Sequence, residues 1–417
     1  KLKILDYYWD LKSIAGLEDL ESVLYATTLF DTIILRRSEW VLPTRGNKVK
    51  HERYEGAFVM NAPSGIIQKV AVYDISMFYP SIMLEERLDT KILFEYTRAN
   101  PGPVDWGKYK EFAKKWIEEG KPTILLSLVK DMISMRKLLQ GMPEHKRKLA
   151  AIKALLNASY GASAYTGFRL YDVRIPERVT EEARRIIQDL AKFVDAIGNK
   201  AIYSDTDSLF VQVEEAEHKK VEDMINEYLG TIGDFKIKTE HYCRTILFTG
   251  RKKKYAYKTT DGKLHTTGFE QVRSDSSDYT KEIQEKVMDL LLDDKKDEVV
   301  EYLREKIANV SKCTLEEIAV TKTLSRPLDE YTKNEQNYIK AMRHSKSDIA
   351  QGEAVSIIPA TNFPFGVAAY TDIGDIDIPI IVDYDEVIQK QIRAKVDSLL
   401  PLVNLSWGEI VGQKRMF

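Results

Sequence analysis

Cysteine is almost absent from this chain of 417 residues: it has two, Cys243 and Cys313. They lie far apart, so they offer neither a zinc-ligand cluster nor a disulfide framework, and they fit a reducing cytosol. No apolar run approaches the roughly 20 residues that span a bilayer. The opening Lys1-Leu2-Lys3-Ile4-Leu5-Asp6 has an apolar core too short, and too broken by charge, for a signal peptide. It also lacks an initiator Met, so an excised fragment, one half of a split protein or a naturally short chain is expected. Excess charge is missing too. Lys and Arg number 62 against 64 Asp and Glu, a formal net charge of −2. Any nucleic-acid partner must therefore be met by local basic patches. No internal repeat or low-complexity tract stands out. What is present, 44% hydrophobic and 30% charged residues, is a globular composition long enough for two or three domains.

One stretch organises the rest: Ile202-Tyr203-Ser204-Asp205-Thr206-Asp207-Ser208-Leu209-Phe210. Apolar and β-favouring residues flank two acids, which reads as a β-hairpin with the acids at its tip. Two unit charges 4 Å apart repel by on the order of 4 kcal/mol at an effective dielectric near 20. A cation would relieve that, and oxygen ligands suit Mg²⁺ or Mn²⁺. Asp is equally a common turn residue. From these nine residues alone the two readings are even.

Upstream, apolar spacing predicts a helix over 17–40 and a Pro- and Gly-punctuated loop over 41–52. A strand-like stretch begins at Tyr54-Glu55-Gly56-Ala57. The strand 68–73 ends on Asp74, a position where a sheet would fix a metal ligand. Asp74 or Ser76 could equally cap the next helical turn, whose N–H groups at Met77 and Phe78 would favour phosphate. Trp106, Tyr109, Phe112 and Trp116 form an aromatic stripe read as core packing. Two helices are expected over 124–160, broken at Gly141-Met142-Pro143 and rich in Lys and Arg. In the second, Lys153, Asn157 and Tyr160 share one face, with Gly161 as the stop. A solvated basic face is the blander reading, and alone the better one.

Further helices are expected over 180–197 and 217–230. A strand over 235–240 ends near Glu240. Over 251–258 the strand period puts Lys253, Tyr255 and Tyr257 on one face. Cations interleaved with aromatics fit a nucleic-acid backbone, though an edge strand guarded by lysines looks the same. From Asp275 the chain reads as mostly helical, with Ser276 or Ser277 capping a helix to Leu292, another over 297–310 and a last one after Asp385.

Separated pieces then match one pattern in order. Asp74-Ile75-Ser76-Met77-Phe78-Tyr79-Pro80-Ser81-Ile82 resembles the first polymerase motif of family B DNA polymerases, D-x-x-S-L-Y-P-S-I. Lys153 to Gly161 resembles the second, K-x-x-x-N-S-x-Y-G. Tyr203 to Ser208 resembles the third, Y-G-D-T-D-S. Lys252-Lys253-Lys254-Tyr255 resembles the primer–template motif K-K-R-Y, and Tyr54-Glu55-Gly56-Ala57 the Y-x-G-G/A element. Gly268 to Asp275 and Thr321 to Leu324 are lesser matches. The departures are Met77 and Ala158 in place of Ser, Ser204 in place of Gly, Lys254 in place of Arg, and Gln140 where a basic residue is common. They bear on fidelity and nucleotide affinity; every carboxylate and Lys153 remain.

The resemblance implies an α+β right hand: an antiparallel-sheet palm, two-helix fingers and a mainly helical thumb. By it residues 1–66 connect into the palm from an exonuclease region, 67–122 and 162–270 are palm, 123–161 fingers and 271–417 thumb. It implies template-directed addition of dNTPs to a primer 3′-hydroxyl with two Mg²⁺ ions, Mn²⁺ able to substitute. Asp74, Asp207 and the Ile75 carbonyl would be ligands, with Asp205 and Glu240 as further acids. Met77, Phe78, Tyr79, Arg136, Lys153, Asn157 and Tyr160 would hold the nucleotide, Tyr79 lying under the sugar where a 2′-hydroxyl would clash. Tyr54, Gly56, Lys252, Lys253, Lys254, Tyr255 and Arg273 would hold DNA. No acidic exonuclease signature occurs in residues 1–60, so no proofreading by this chain is expected. Further partners it raises are a separate chain carrying the N-terminal and exonuclease half, and a sliding clamp met by Gln413-Lys414-Arg415-Met416-Phe417; no membrane is expected. The location would be cytoplasmic in a prokaryotic or viral setting and nuclear in a eukaryote, cytoplasmic preferred. A non-catalytic DNA-binding subunit is the competing class, and the intact carboxylates speak against it. An RNA-making palm enzyme is a second alternative, opposed by Tyr79.

Overall fold

The β-hairpin expected around the two acids is present: β2 (Lys200–Asp205) pairs antiparallel with β3 (Ser208–Gln212), joined at Thr206 and Asp207. The computed structural model describes residues 53–269, 276–331, 336–344 and 350–412, together with Lys12, Phe30 and Ile34. The helix expected over 17–40 and the loop over 41–52 therefore lie outside the described residues, except Phe30 and Ile34, which are helical and buried. Arg273 and the segment 413–417 also lie outside them.

The chain divides into two compact units. One comprises Lys1–Met60 and Ala71–Glu240, the other Asn61–Val70 and His241–Phe417. Strand β1 (Ser64–Ile75) is longer than the apolar core 68–73 that marks it in the sequence. The six-stranded sheet has the order β2-β3-β1-β4-β5-β6, where β4 is Ile237–Thr249, β5 Tyr255–Thr259 and β6 Leu264–Thr267. β4 pairs antiparallel with β5, and β5 with β6.

In the first unit α1 (Phe78–Glu85) follows β1. Neither Asp74 nor Ser76 caps it. Its N-cap is Met77, in the left-handed region at φ 52, with no side-chain hydrogen bond. Pro80 sits in the first turn, where a missing N–H costs nothing. Helix α2 (Thr90–Ala99) precedes α3 (Trp106–Glu118), which carries the aromatic stripe. Tyr109 is buried there and meets Tyr96 and Trp106 edge-on, at 5.6 and 5.4 Å between ring centroids, so the packing reading holds. The two basic helices are α4 (Leu125–Leu139) and α5 (Lys146–Ala162), and a 3-10 turn at Pro143–His145 separates them. Gly161 falls inside the last turn of α5 rather than stopping it. Helix α6 (Arg174–Ala196) starts earlier than its apolar stripe first shows and buries Ile175, Val179, Ala183, Ile186, Leu190 and Val194. Helix α7 (His218–Ile232) completes the unit.

Asp89 holds the start of two helices. It is fully buried. One carboxylate oxygen accepts the N–H groups of Lys91 (2.9 Å) and Ile92 (3.4 Å) and caps α2. The other accepts those of Ile124 (2.7 Å) and Leu126 (3.1 Å) and caps α4. Burial pushes this carboxyl up, and the four N–H bonds oppose that. Asp89→Ala should lower stability by about 2–4 kcal/mol, the loss of two helix caps. Asp89→Asn, which puts an amide group against one pair of donors, should lose roughly half as much. Urea unfolding at a fixed m-value checks both; an unchanged midpoint for the alanine variant would refute the double cap.

In the second unit α8 (Asp278–Leu292) is capped by Ser277, whose hydroxyl accepts the N–H of Thr280. With α9 (Lys296–Asn309) it packs a core of Ile283, Val287, Leu291, Val299 and Leu303. Lys258 of β5 ties to α8 and the residue after it through Asp289 (2.6 Å) and Asp293 (2.8 Å). This region is less helical than its sequence reads. A second, three-stranded sheet is built from β7 (Val320–Thr323), β8 (Ala354–Pro359) and β9 (Val367–Tyr370), with antiparallel pairing throughout. Helix α10 (Asn337–His344) packs on it through Ile339 and Met342. These strands have only four to six residues, too few for periodicity to declare them. The helix expected after Asp385 runs over 384–396 with a π-helical turn at Val387–Ile392, but it is not the last: a short helix, Trp407–Ile410, follows it. Among the described residues no helix is long and apolar enough to cross a membrane. The mix of helix and antiparallel sheet makes this an α+β protein.

Candidate active site

Asp74 is the penultimate residue of β1, and Asp207 lies in the turn that joins β2 to β3. Backbone bonds bring them together. The Ile75 N–H donates to the Asp207 carbonyl at 3.0 Å, and the Ser76 N–H to the Lys236 carbonyl at 2.9 Å. The acid turn is very tight: the Asp207 N–H donates to the Asp205 carbonyl at 2.8 Å, a γ-turn bond across Thr206. Thr206 is β-branched yet stands at φ 66, strain of order 1–3 kcal/mol. Its hydroxyl donates to the Asp205 carboxylate at 3.0 Å, and its N–H to the Phe58 carbonyl at 3.2 Å.

Glu240 lies within β4, which runs on to Thr249 rather than ending at this third acid. Helix α7 sets that stretch of strand. The Asn226 amide donates to the Ile237 carbonyl and accepts its N–H, at 3.0 and 2.9 Å. One helical turn earlier the Glu222 carboxylate accepts both the N–H and the hydroxyl of Thr239 at 2.7 Å.

A cleft of about 300 Å³ in the first unit is lined by Asp74, Ile75, Ser76, Met77, Phe78, Tyr79, Arg136, Lys153, Asn157, Tyr160, Thr206, Asp207 and Glu240. Every residue read from the sequence as holding nucleotide is in that lining, as are Asp74, Ile75, Asp207 and Glu240. Asp205 is not; its backbone and carboxylate shape the turn. Arg136 comes from α4, and Lys153, Asn157 and Tyr160 from one face of α5. Tyr79 meets Tyr160 at 4.5 Å between centroids and stacks on Phe78 at 5.9 Å.

The charges are unbalanced. Burial, then Asp207 and Glu240, push the Asp74 carboxyl up to about 7, with Lys153 opposing. Burial and the neighbouring Asp205 and Glu240 raise Asp207 as well. Carboxylates held together against their own repulsion match a divalent cation. Among the described residues no three His, Cys, Asp or Glu side chains enclose a cation by themselves. Asp74, Asp207 and Glu240 instead face an open cleft, leaving positions for oxygens of a substrate.

The lysine segment lies in the second unit and departs from the expected strand. Residues 251–254 form a turn, with Lys253 at φ 59, and β5 begins only at Tyr255. Lys253 therefore does not share a strand face with Tyr255 and Tyr257. Gly268, at φ 72, packs so closely that a Cβ there would sit 1.9 Å from the Lys253 carbonyl, so only glycine fits. Lys252 and Lys253 are exposed, and the Lys254 ammonium lies 5.0 Å over the Phe269 ring. Tyr255, expected at the DNA surface, is 8% exposed and packs against Phe248; it anchors the strand after the turn. Tyr54 is half-buried, and Gly56 is exposed with open space where a Cβ would be.

A sequence profile for DNA polymerase family B matches residues 16–363. The chain belongs to that family. DNA polymerase 2 of Aeropyrum pernix is 29% identical over 375 residues, covering 83% of this chain and 45% of that protein. DNA polymerase II of Escherichia coli is 25% identical over 428 residues, covering 92% of this chain and 52% of that protein. The family B DNA polymerase of Pyrobaculum calidifontis has the same fold, with a TM-score of 0.70 over 97% of this chain and 55% of that one, at 24% identity. This family B chain thus spans about half the length of the relatives it matches.

Sequence reading missed Ser76 and Thr206 as lining residues and Asp89 as the anchor of α4. Asp89 had a local signal, an Asp before an apolar helical run. Its second helix had none, because Ile124 is 35 residues away. Nothing in the structure explains Ser204, which is fully buried and whose hydroxyl has no partner among the described residues.

Proposed function

We propose that this chain is the polymerising module of a DNA-directed DNA polymerase, adding dNTPs to a primer 3′-hydroxyl. The observation that carries it is one cleft lined both by Asp74, Asp207 and Glu240 and by Arg136 and Lys153. Acids that need cations and cations that need anions, side by side, suit a metal-bound triphosphate. Asp74 and Asp207 would hold two Mg²⁺ ions, with the Ile75 carbonyl and Glu240 in support. Bound there, such ions supply charge stabilisation at the entering and leaving oxygens of an in-line displacement. Arg136 grips phosphate as a bidentate fork and Lys153 as a point charge. Their charge disperses that building up on the leaving pyrophosphate. The N–H groups of the first turn of α1 face anions for the same reason. Tyr79 and Tyr160 orient sugar and base. Lys252 and Lys253 offer contacts to a DNA backbone that read no sequence.

In this reading the sheet around β1–β4 is the palm, α4 and α5 the fingers, and the region from 271 the thumb. Primer–template DNA and dNTPs are the substrates. The experiment is extension of a labelled primer on a template by the 417-residue chain. Extension with Mg²⁺ or Mn²⁺ and none with chelator is the expected result. Metal-dependent binding of primer–template without any extension would favour a non-catalytic subunit instead.

A further inference from the structure

Residues 54–60 form an extended strap bonded to α6 near one end and to the acid turn at the other. Thr180 and Arg184 of α6 are one helical turn apart and share a face. The Thr180 hydroxyl donates to the Glu55 carbonyl at 2.7 Å. The Arg184 guanidinium donates to the carbonyls of Glu55 (2.7 Å) and Gly56 (2.8 Å). The Glu55 carboxylate is 3.6 Å from the same guanidinium but 79% exposed, so that ion pair adds little. At the other end Val59 bridges to Asp205, and the Met60 N–H donates to the Ser204 carbonyl at 3.1 Å. Between them the Phe58 carbonyl accepts the Thr206 N–H, the bond that holds a β-branched residue at positive φ. The strap also carries the half-buried Tyr54. Arg184 is not part of the cleft lining.

We propose that Arg184 is a positioning residue: with Thr180 it pins the strap at Glu55 and Gly56, and the strap holds the turn that presents Asp207. One guanidinium nitrogen, Nη1, serves both successive carbonyls, and the rigid planar group fixes the direction of its N–H bonds, which the freely rotating ammonium of lysine does not. The clamp stands on hydrogen bonds alone. Its effect on nucleotide addition rests on the polymerase reading of the cleft.

The test compares Arg184→Ala, Arg184→Lys and the control Glu55→Gln in the full chain. Hydrogen exchange at the Met60 and Thr206 amides should rise about tenfold or more in Arg184→Ala, as expected when a local opening becomes easier. The middle of α6 should stay protected, Arg184→Lys should fall between, and Glu55→Gln should match the parent. In single-nucleotide insertion, kcat should fall about tenfold with KM changed less, the pattern of misplacement rather than lost binding. A merely structural arginine would lower the melting midpoint without moving kcat at a temperature where the variant stays folded. Unchanged exchange in folded variants overturns the clamp, and an unchanged kcat overturns its role in the cleft. If Arg184→Ala does not fold, Arg184→Lys decides. A parent chain that never extends a primer counts against the polymerase reading, and the exchange measurement then decides the clamp by itself.

Discussion

Asp207→Ala should cut nucleotide addition by at least about 10³-fold, the upper end of what removal of one preorganised electrostatic group does, while leaving the fold intact. The backbone of Asp207 makes its own bonds: its carbonyl accepts the Ile75 N–H at 3.0 Å, and its N–H donates to the Asp205 carbonyl at 2.8 Å. Neither needs the side chain. The carboxylate itself is a source of strain in the metal-free protein, since burial, Asp205 and Glu240 all raise its pKa. Removing it also relieves Asp74, for which Asp207 is the largest charged cause of elevation. Without divalent cations the variant should therefore melt at the parent's temperature or above. With Mg²⁺ it should still bind primer–template, because the lysine turn is untouched. Single-turnover extension paired with a melting curve separates the effects. Normal extension would sink the assignment of Asp207 as a ligand, and a large drop in melting temperature would mean that it is a structural residue.

Tyr79→Ala should admit ribonucleotides. The ring sits in the first turn of α1, wedged between Phe78 and Tyr160. Its hydroxyl is pushed well above the ordinary phenol range, first by burial and then by Tyr160 and Asp207, so it stays neutral. On the proposed polymerase reading, a neutral ring lining the cleft would discriminate by filling space, a device aimed against the wrong sugar. Its removal should raise the ribonucleotide share of kcat/KM on the order of 10²-fold, about 2.7 kcal/mol of discrimination. Tyr79→Phe keeps the ring and should keep the selectivity. Single-nucleotide insertion with matched dNTP and rNTP measures this. An unchanged ratio in the alanine variant would remove Tyr79 from the gate, and a loosened ratio in the phenylalanine variant would assign the work to the hydroxyl.

Legibility differed sharply between local and distant features. The hairpin was readable because short runs of apolar, β-favouring residues flank Asp-Thr-Asp on both sides. The common face of Lys153, Asn157 and Tyr160 followed from helical spacing, and so did the packing role of the aromatic stripe on α3. The lysine strand was misread because Lys253, Tyr255 and Tyr257 keep period two in the sequence although Lys253 lies in the turn before β5; a glycine fifteen residues on, Gly268, fits against the carbonyl of Lys253. The small sheet β7–β9 was hidden by strands too short to show a period.

By itself the sequence determined which chemistry this chain can carry. The types and local spacing of Asp74, Tyr79, Lys153, Asp205 and Asp207 depend only on covalent order and on helix and strand periodicity, and these can be read without a fold. The tertiary structure decided which acids share a cleft and what holds them there. Asp74 and Asp207 are 133 residues apart in the chain yet joined through the bond from Ile75 to Asp207, and both line the cleft whereas Asp205 does not. Asp89 capping two helices and Arg184 holding a strap 128 residues away belong to the same class. Such contacts bring together backbone groups that every residue carries, so no side-chain pattern announces them, and only the folded chain shows where those groups meet.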